Sequence, residues 1–174
     1  MKEILLIPHE RLDILRNEGT VLKIEKELNV KLIFIENSVE VDGEGFELFK
    51  AINIIRAIAR GFSPENAFRL LDDDEQIEVR ELKYSANKLK VVKARLIGSG
   101  GKTRKLIERY SGCNVSIYGK TISLIGKFEQ LKIAGEAVNM ILYGAKLTNV
   151  YGFLLKAKNP FSIQEDVKQW ETML

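Results

Sequence analysis

The sequence predicts an α+β protein of two consecutive β-α-α-β-β-α units, each a three-stranded antiparallel sheet with helices packed on one face. Three observations carry this. Residues repeat at an offset of 83, from Ile24 to Ile107, from Leu32 to Val115 and from Gly43 to Gly126, and self-similarity at a fixed offset means two copies of one structural unit. Within each copy the apolar period alternates between the two-residue step of a strand and the three-to-four-residue step of a helix. The charge also divides: residues 1–80 carry 11 Lys and Arg against 17 Asp and Glu, a net of −6, and residues 81–174 carry 16 against 7, a net of +9. One half is suited to a polyanion and the other to something else.

The elements follow in order. Ile4–Ile7 is a short β-like run, and Pro8 suits the first position of a helix that reaches about Leu15. A break at Asn17-Glu18-Gly19 precedes a second helix to about Leu28. Strands near Lys31–Glu36 and Val39–Val41 read as a hairpin. A long helix closes the unit, its apolar series running Phe46, Phe49, Ile52, Ile55 and Ala59. Gly61 stops it. Ser63 is a good N-cap for a short restart, with Pro64 at its first position and Glu65 at the positive end of its dipole, ending at Asp72-Asp73-Asp74-Glu75.

The second unit has a strand at Ile77–Lys83, a helix near Ala86–Leu96, a break at Gly98–Gly101 and a helix at Lys102–Tyr110. Strands at Asn114–Tyr118 and Thr121–Ile125 and a helix from Phe128 to about Tyr143 complete it. Asn149 to Leu174 forms a tail, broken at Asn159-Pro160, with a helix expected from Ile163 whose Trp170 packs back onto a module. The resulting division is 1–61, 62–75, 76–148 and 149–174.

With 45% hydrophobic and 29% charged residues, the chain can bury a core. The N-terminal apolar run ends at Pro8 after four residues, too short for a signal peptide or a membrane helix, so a cytoplasmic or nuclear location is expected and no membrane partner. One cysteine and one histidine make no disulfide and no zinc site. Cys113 reads as a small buried residue in a strand, and His9 as a surface position.

The informative stretch is Arg95-Leu96-Ile97-Gly98-Ser99-Gly100-Gly101-Lys102-Thr103-Arg104-Lys105. Three glycines between two helices let the backbone approach a ligand, and the free amides of the following helix start favour a phosphate. Lys102, Arg104 and Lys105 stand in that helix's first turn, where cations oppose the dipole, so a polyanion explains them better than helix stability does. The Walker A pattern fails because its first glycine falls on Leu96, after a helix rather than a strand. The dinucleotide fingerprint fails because no final glycine follows Gly98-Ser99-Gly100. The G-x-x-G loop that clamps about four backbone nucleotides fits, lying between the second and third elements of its unit.

On these residues the chain resembles the KH family in its eukaryote-type topology, with Ile97-Gly98-Ser99-Gly100-Gly101-Lys102 as the core motif. Arg104 departs from it, standing where the family has an aliphatic residue. The segment from Gly61 to Asp74 and the tail at Val150-Tyr151-Gly152-Phe153-Leu154 resemble the small-subunit ribosome-assembly KH proteins of archaea and eukaryotes, the Krr-type or partner-of-Nob-one family. The resemblance implies tandem KH domains and binding to small-subunit rRNA near its 3′ end. It also implies contact with a translation initiation factor subunit or a ribosome-assembly nuclease. Single-stranded RNA is then expected on Arg95, Ile97, Gly98, Ser99, Gly100, Gly101, Lys102, Arg104, Lys105 and Lys120, with no cofactor and no metal.

In the first unit the loop falls at Arg16-Asn17-Glu18-Gly19. Arg16 replaces the first glycine and Glu18 puts a negative charge where phosphate would approach, so that unit is expected to serve structure or protein docking. Two other classes of function stay in view. An enzyme would have to rest on Asp72-Asp73-Asp74-Glu75 holding a divalent cation, which reads as a solvated acidic turn; no nucleophile set or acid/base pair accompanies it. A protein-interaction adaptor would need both loops to have lost RNA, which the second loop opposes.

Overall fold

The computed structural model describes residues 1–158, so the helix expected from Ile163 and Trp170 lies outside the described residues. The chain divides into two compact units, one spanning Met1–Ile77 and the other beginning at Glu78. The first runs β1 (Lys2–Leu6), α1 (His9–Leu15), α2 (Glu18–Leu28), β2 (Lys31–Ile35), β3 (Ser38–Asp42), α3 (Gly45–Ala59) and α4 (Pro64–Ala67), the last continued by a 3-10 turn at Phe68–Leu71. β4 (Glu75–Glu81) begins in the first unit, to which Glu75, Gln76 and Ile77 belong, and the second runs on through α5 (Ala86–Ile97), α6 (Lys102–Ser111), β5 (Asn114–Tyr118), β6 (Thr121–Lys127), α7 (Phe128–Leu142) and α8 (Leu147–Lys158). Strand order is β1-β3-β2 in one sheet and β4-β6-β5 in the other. No helix among the described residues is long and apolar enough to cross a membrane.

The 83-residue repeat extends to single hydrogen bonds. Glu25 Oε1 accepts from the Leu32 amide at 2.8 Å, and Glu108 Oε1 from the Val115 amide at 2.9 Å. Ser38 Oγ donates to Ile35 O at 2.8 Å, and Thr121 Oγ1 to Tyr118 O at 2.9 Å. Asn29 and Gly112 end α2 and α6 in the left-handed conformation, φ 47° and 81°, which frees a helix to turn into the next strand. The repeat also reaches past the long helices. The start of α8 occupies the place of α4, and Ala67 and Val150, 83 residues apart, are both fully buried.

Three local expectations are corrected. Pro8 stands just before α1 instead of opening it; its fixed φ suits either place. Asn17 precedes α2, which already contains Glu18 and Gly19, so the break shrinks to Arg16 and Asn17. In α3 the core face is Leu48, Ala51, Ile54, Ile55 and Ile58, while Phe46 and Phe49 are 55% and 56% exposed. That helix is apolar on most sides, and its period could not tell which stripe turned inward. Ser63 caps α4 as expected, its Oγ accepting from the Asn66 amide at 3.3 Å, with Pro64 at the first position. Cys113 is buried and His9 exposed.

Candidate nucleic-acid interface

Helices α5 and α6 meet at the glycine loop, and the geometry there is set by close approach. Gly98 has φ 73°, and a Cβ on it would lie 2.4 Å from Thr103 Oγ1 and 2.7 Å from the Thr103 amide nitrogen. No other residue fits without moving α6. Thr103 is itself buried, its hydroxyl 3.0 Å from the Tyr151 hydroxyl of α8, so the start of α6 is held from behind. Gly100 is different. It has φ 59° but opens onto empty space, and with Ser99 it is exposed. The loop therefore presents its backbone outward above a rigid seat.

Beside the loop runs a groove of about 490 Å³, floored by Tyr84, Leu89, Ala94 and Ile97 and edged by Lys90, Lys93 and Lys120. Lys93 Nζ donates to Gly119 O at 2.9 Å, and the Leu82 amide donates to Lys120 O at 2.7 Å. These bonds fix the two-residue turn Gly119-Lys120 against α5 and bring Lys120 to the edge. An apolar floor can take base faces, while lysines and the exposed backbone of Ser99-Gly100 at one end can take phosphates.

Of the residues expected from sequence, Ile97 and Lys120 line this groove and Gly98, Ser99, Gly100 and Gly101 form its end. Lys102 and Lys105 follow in the first turn of α6, half-buried and exposed. Arg104 is half-buried there, with an Nε that is buried and has no hydrogen-bond partner among the described residues. Arg95 is elsewhere. Its guanidinium donates to Ile141 O at 2.8 Å and to Ala145 O, which ties α5 to the end of α7 and turns the side chain away from the groove. Tyr84, Leu89, Lys90, Lys93 and Ala94 were missed. Their signal was present, since Ala86, Lys90, Lys93 and Ile97 recur at three- and four-residue steps along one face of α5.

At the corresponding break of the first unit Arg16, itself exposed, lies against the neighbouring hairpin. Arg16 donates to Glu36 O at 2.9 Å, with its guanidinium 5.4 Å from the Phe34 ring centroid. The acidic turn is likewise engaged: Asp73 pairs with Lys50, Glu75 with Arg69 at 2.9 Å, and Asp72 accepts from the Asp74 amide at 3.0 Å. Among the described residues no three His, Cys, Asp or Glu side chains gather as metal ligands.

Residues 73–159 match the model of the eukaryotic-type KH domain (KH domain type I), in its form for the second domain of Pno1. A KH domain-containing protein of Methanocaldococcus jannaschii is 42% identical over 163 residues, covering 87% of this chain and 72% of that protein. The pre-rRNA-processing protein pno1 of Aspergillus fumigatus is 30% identical over 142 residues, and the match covers 78% of this chain and 56% of that longer protein. The crystal structure of Dim2p from Pyrococcus horikoshii superposes with a TM-score of 0.80 at 34% identity, covering 88% of this chain and 98% of that one. A second structure, the a/eIF2alpha-aDim2p-rRNA complex of the same organism, gives 0.84 at 34% identity, covering 92% and 96%. A match over half of the chain, together with that archaeal relative, shows that the protein belongs to the Pno1/Dim2-type family of KH-domain proteins.

Proposed function

We propose that this protein binds single-stranded RNA through the groove of its second unit, its target being small-subunit rRNA near the 3′ end during ribosome assembly. The observation that carries the reading is an apolar groove with a lysine edge that ends on a loop of three glycines with positive φ. Phosphates meet the loop amides and the lysines, and unstacked bases lie along the floor where their edges can be read. Relatives described as pre-rRNA-processing proteins, and a Dim2 protein crystallised with rRNA, support rRNA as the target.

The two units are tandem KH domains in this reading, the first degenerate at its loop; the hydrogen bonds repeated at an offset of 83 support it. The initiation-factor partner in the Pyrococcus horikoshii complex supports a translation initiation factor subunit as a partner here. A ribosome-assembly nuclease is the other partner in keeping with the role, and a site where small subunits are built, the cytoplasm or in a eukaryote the nucleus, fits both. Titration with an oligonucleotide from the 3′ end of small-subunit rRNA and a scrambled strand of equal length tests the target. A preference of about tenfold, roughly 1.4 kcal/mol, is expected. Equal affinities would leave a general single-strand binder outside ribosome assembly.

A further inference from the structure

The first unit carries a second groove, of about 410 Å³, between α3 and the acidic turn, lined by Phe46, Phe49, Leu70, Asp72, Glu75 and Ile77 among others. Phe46 and Phe49 are more than half exposed, their ring centroids 6.2 Å apart and their planes within 20°. The fold does not ask for them. At the same positions of α7, 83 residues on, stand Glu129 and Lys132, a solvated ion pair at 3.8 Å. Two stacked aromatics held in water on an equivalent helix need a reason outside the unit's own packing.

The wall of the groove supplies a second observation. The Glu75 side chain is only 8% exposed; one carboxylate oxygen accepts from Arg69 at 2.9 Å, and Oε2 is buried with no hydrogen-bond partner among the described residues. A buried carboxylate oxygen without a donor is unfavourable, and a cationic donor relieves it. A cation already sits on one ring: Lys50 Nζ is 5.0 Å from the Phe46 centroid while it pairs with Asp73. Asp72 and Asp73 stand exposed at the rim. Carboxylates there repel a phosphate chain, so this groove is not a continuation of an RNA path.

We propose that this groove docks a protein partner through an arginine side chain flanked by an aliphatic residue. Arginine is the one side chain that both stacks its plane on an aromatic face and presents a fork of donors to a carboxylate. The guanidinium lies on the exposed Phe49 side of the pair and reaches towards Glu75, and the aliphatic neighbour covers the floor at Leu70 and Ile77. A lysine carries the charge but not the planar face.

The test uses the whole chain, 15N-labelled, titrated with the blocked tetrapeptide acetyl-Leu-Arg-Leu-Gly-amide and with its Lys counterpart. Saturable amide shifts are expected at residues 46–53 and 72–77, with the arginine peptide tighter by about threefold or more. Phe49→Ser, at an exposed site that leaves the core alone, and Glu75→Gln should each weaken the arginine peptide by about threefold. If Glu75→Gln disturbs the fold through its Arg69 pair, Phe49→Ser carries the test. An oligouridylate should shift the loop at Gly98–Gly101 and leave the groove unmoved. No saturable shift at the groove, equal binding of the two peptides, an unaffected Phe49→Ser or an oligouridylate response at residues 46–53 would each overturn the proposal.

Discussion

Arg11 and Arg95 hold the same pair of carbonyls, each within its own unit. Arg11 donates to Ile58 O at 2.8 Å and to Phe62 O; Arg95 donates to Ile141 O at 2.8 Å and to Ala145 O. The acceptors of the two pairs are 83 residues apart and lie at or just past the ends of α3 and α7, where carbonyls run out of the helix's own four-residue ladder. Each guanidinium fastens the first helix of its unit to the end of the last long one.

Removing either should therefore cost stability and leave RNA contacts alone. Arg95→Met is expected to lower unfolding stability by about 1.5–3 kcal/mol, the range for hydrogen bonds to a charged group, in a urea titration. The slope of RNA affinity against salt should not change. A slope shallower by about 0.7 would mean that Arg95 touches a phosphate after all.

The same anchors measure what the first unit lacks. The Ile7 amide donates to Asn37 O at 2.8 Å, as the Leu82 amide does to Lys120 O at 2.7 Å. From that junction to the anchoring arginine the chain takes four residues in the first unit and thirteen in the second. Tyr84, Leu89, Lys90, Lys93 and Ala94, the wall of the groove proposed for RNA, all lie inside the longer stretch. Removing both obstacles, with Arg16→Gly at the break and Glu18→Lys at the start of α2, should thus raise RNA affinity in the full chain by less than about twofold. A clear gain would show that the first loop faces RNA without a wall of that kind.

Gly98 and Gly100 should separate seat from contact. Gly98→Ala drives a Cβ into Thr103 at a positive φ, so a loss of about 1–3 kcal/mol in stability is expected together with weaker RNA binding. A Gly98→Ala variant with wild-type melting would show that the loop relaxes at no cost.

RNA binding should weaken with salt. Lys90, Lys93, Lys102, Lys105 and Lys120 offer roughly three to five phosphate contacts, giving a log–log slope near −2 to −3.5 at about −0.7 per single-strand contact. Lys120→Gln should make that slope shallower by about 0.7. A slope near zero would assign the affinity to bases and the apolar floor.

Much of this was legible because local chemistry and global fold agree. The offset from Ile24 to Ile107 gave the repeat, and Ser63-Pro64 marked a real helix start. The glycine loop was readable because positive φ needs glycine wherever the chain ends up. What failed depended on distant partners. Arg95 reads as a free cation in the sequence, and only the structure shows Ile141, 46 residues on, accepting from it. Phe46 belongs to the apolar series of α3, and only packing shows that Leu48 and Ala51 face the core. Glu18-Gly19 reads as a break because glycine weakens helices, yet Asn17 lets the helix begin there.

The double substitution Ser99→Asp with Gly100→Asp tests the central claim most directly. Both positions are exposed, nothing lies within 4 Å of where a Gly100 side chain would begin, and aspartate tolerates the left-handed conformation better than most residues. Two carboxylates would then stand where phosphates are expected. Fluorescence anisotropy with a single-stranded RNA from the 3′ end of small-subunit rRNA should show a loss of at least about tenfold in affinity, with melting close to wild type. Unchanged affinity in a folded variant would contradict the assignment of RNA to this loop.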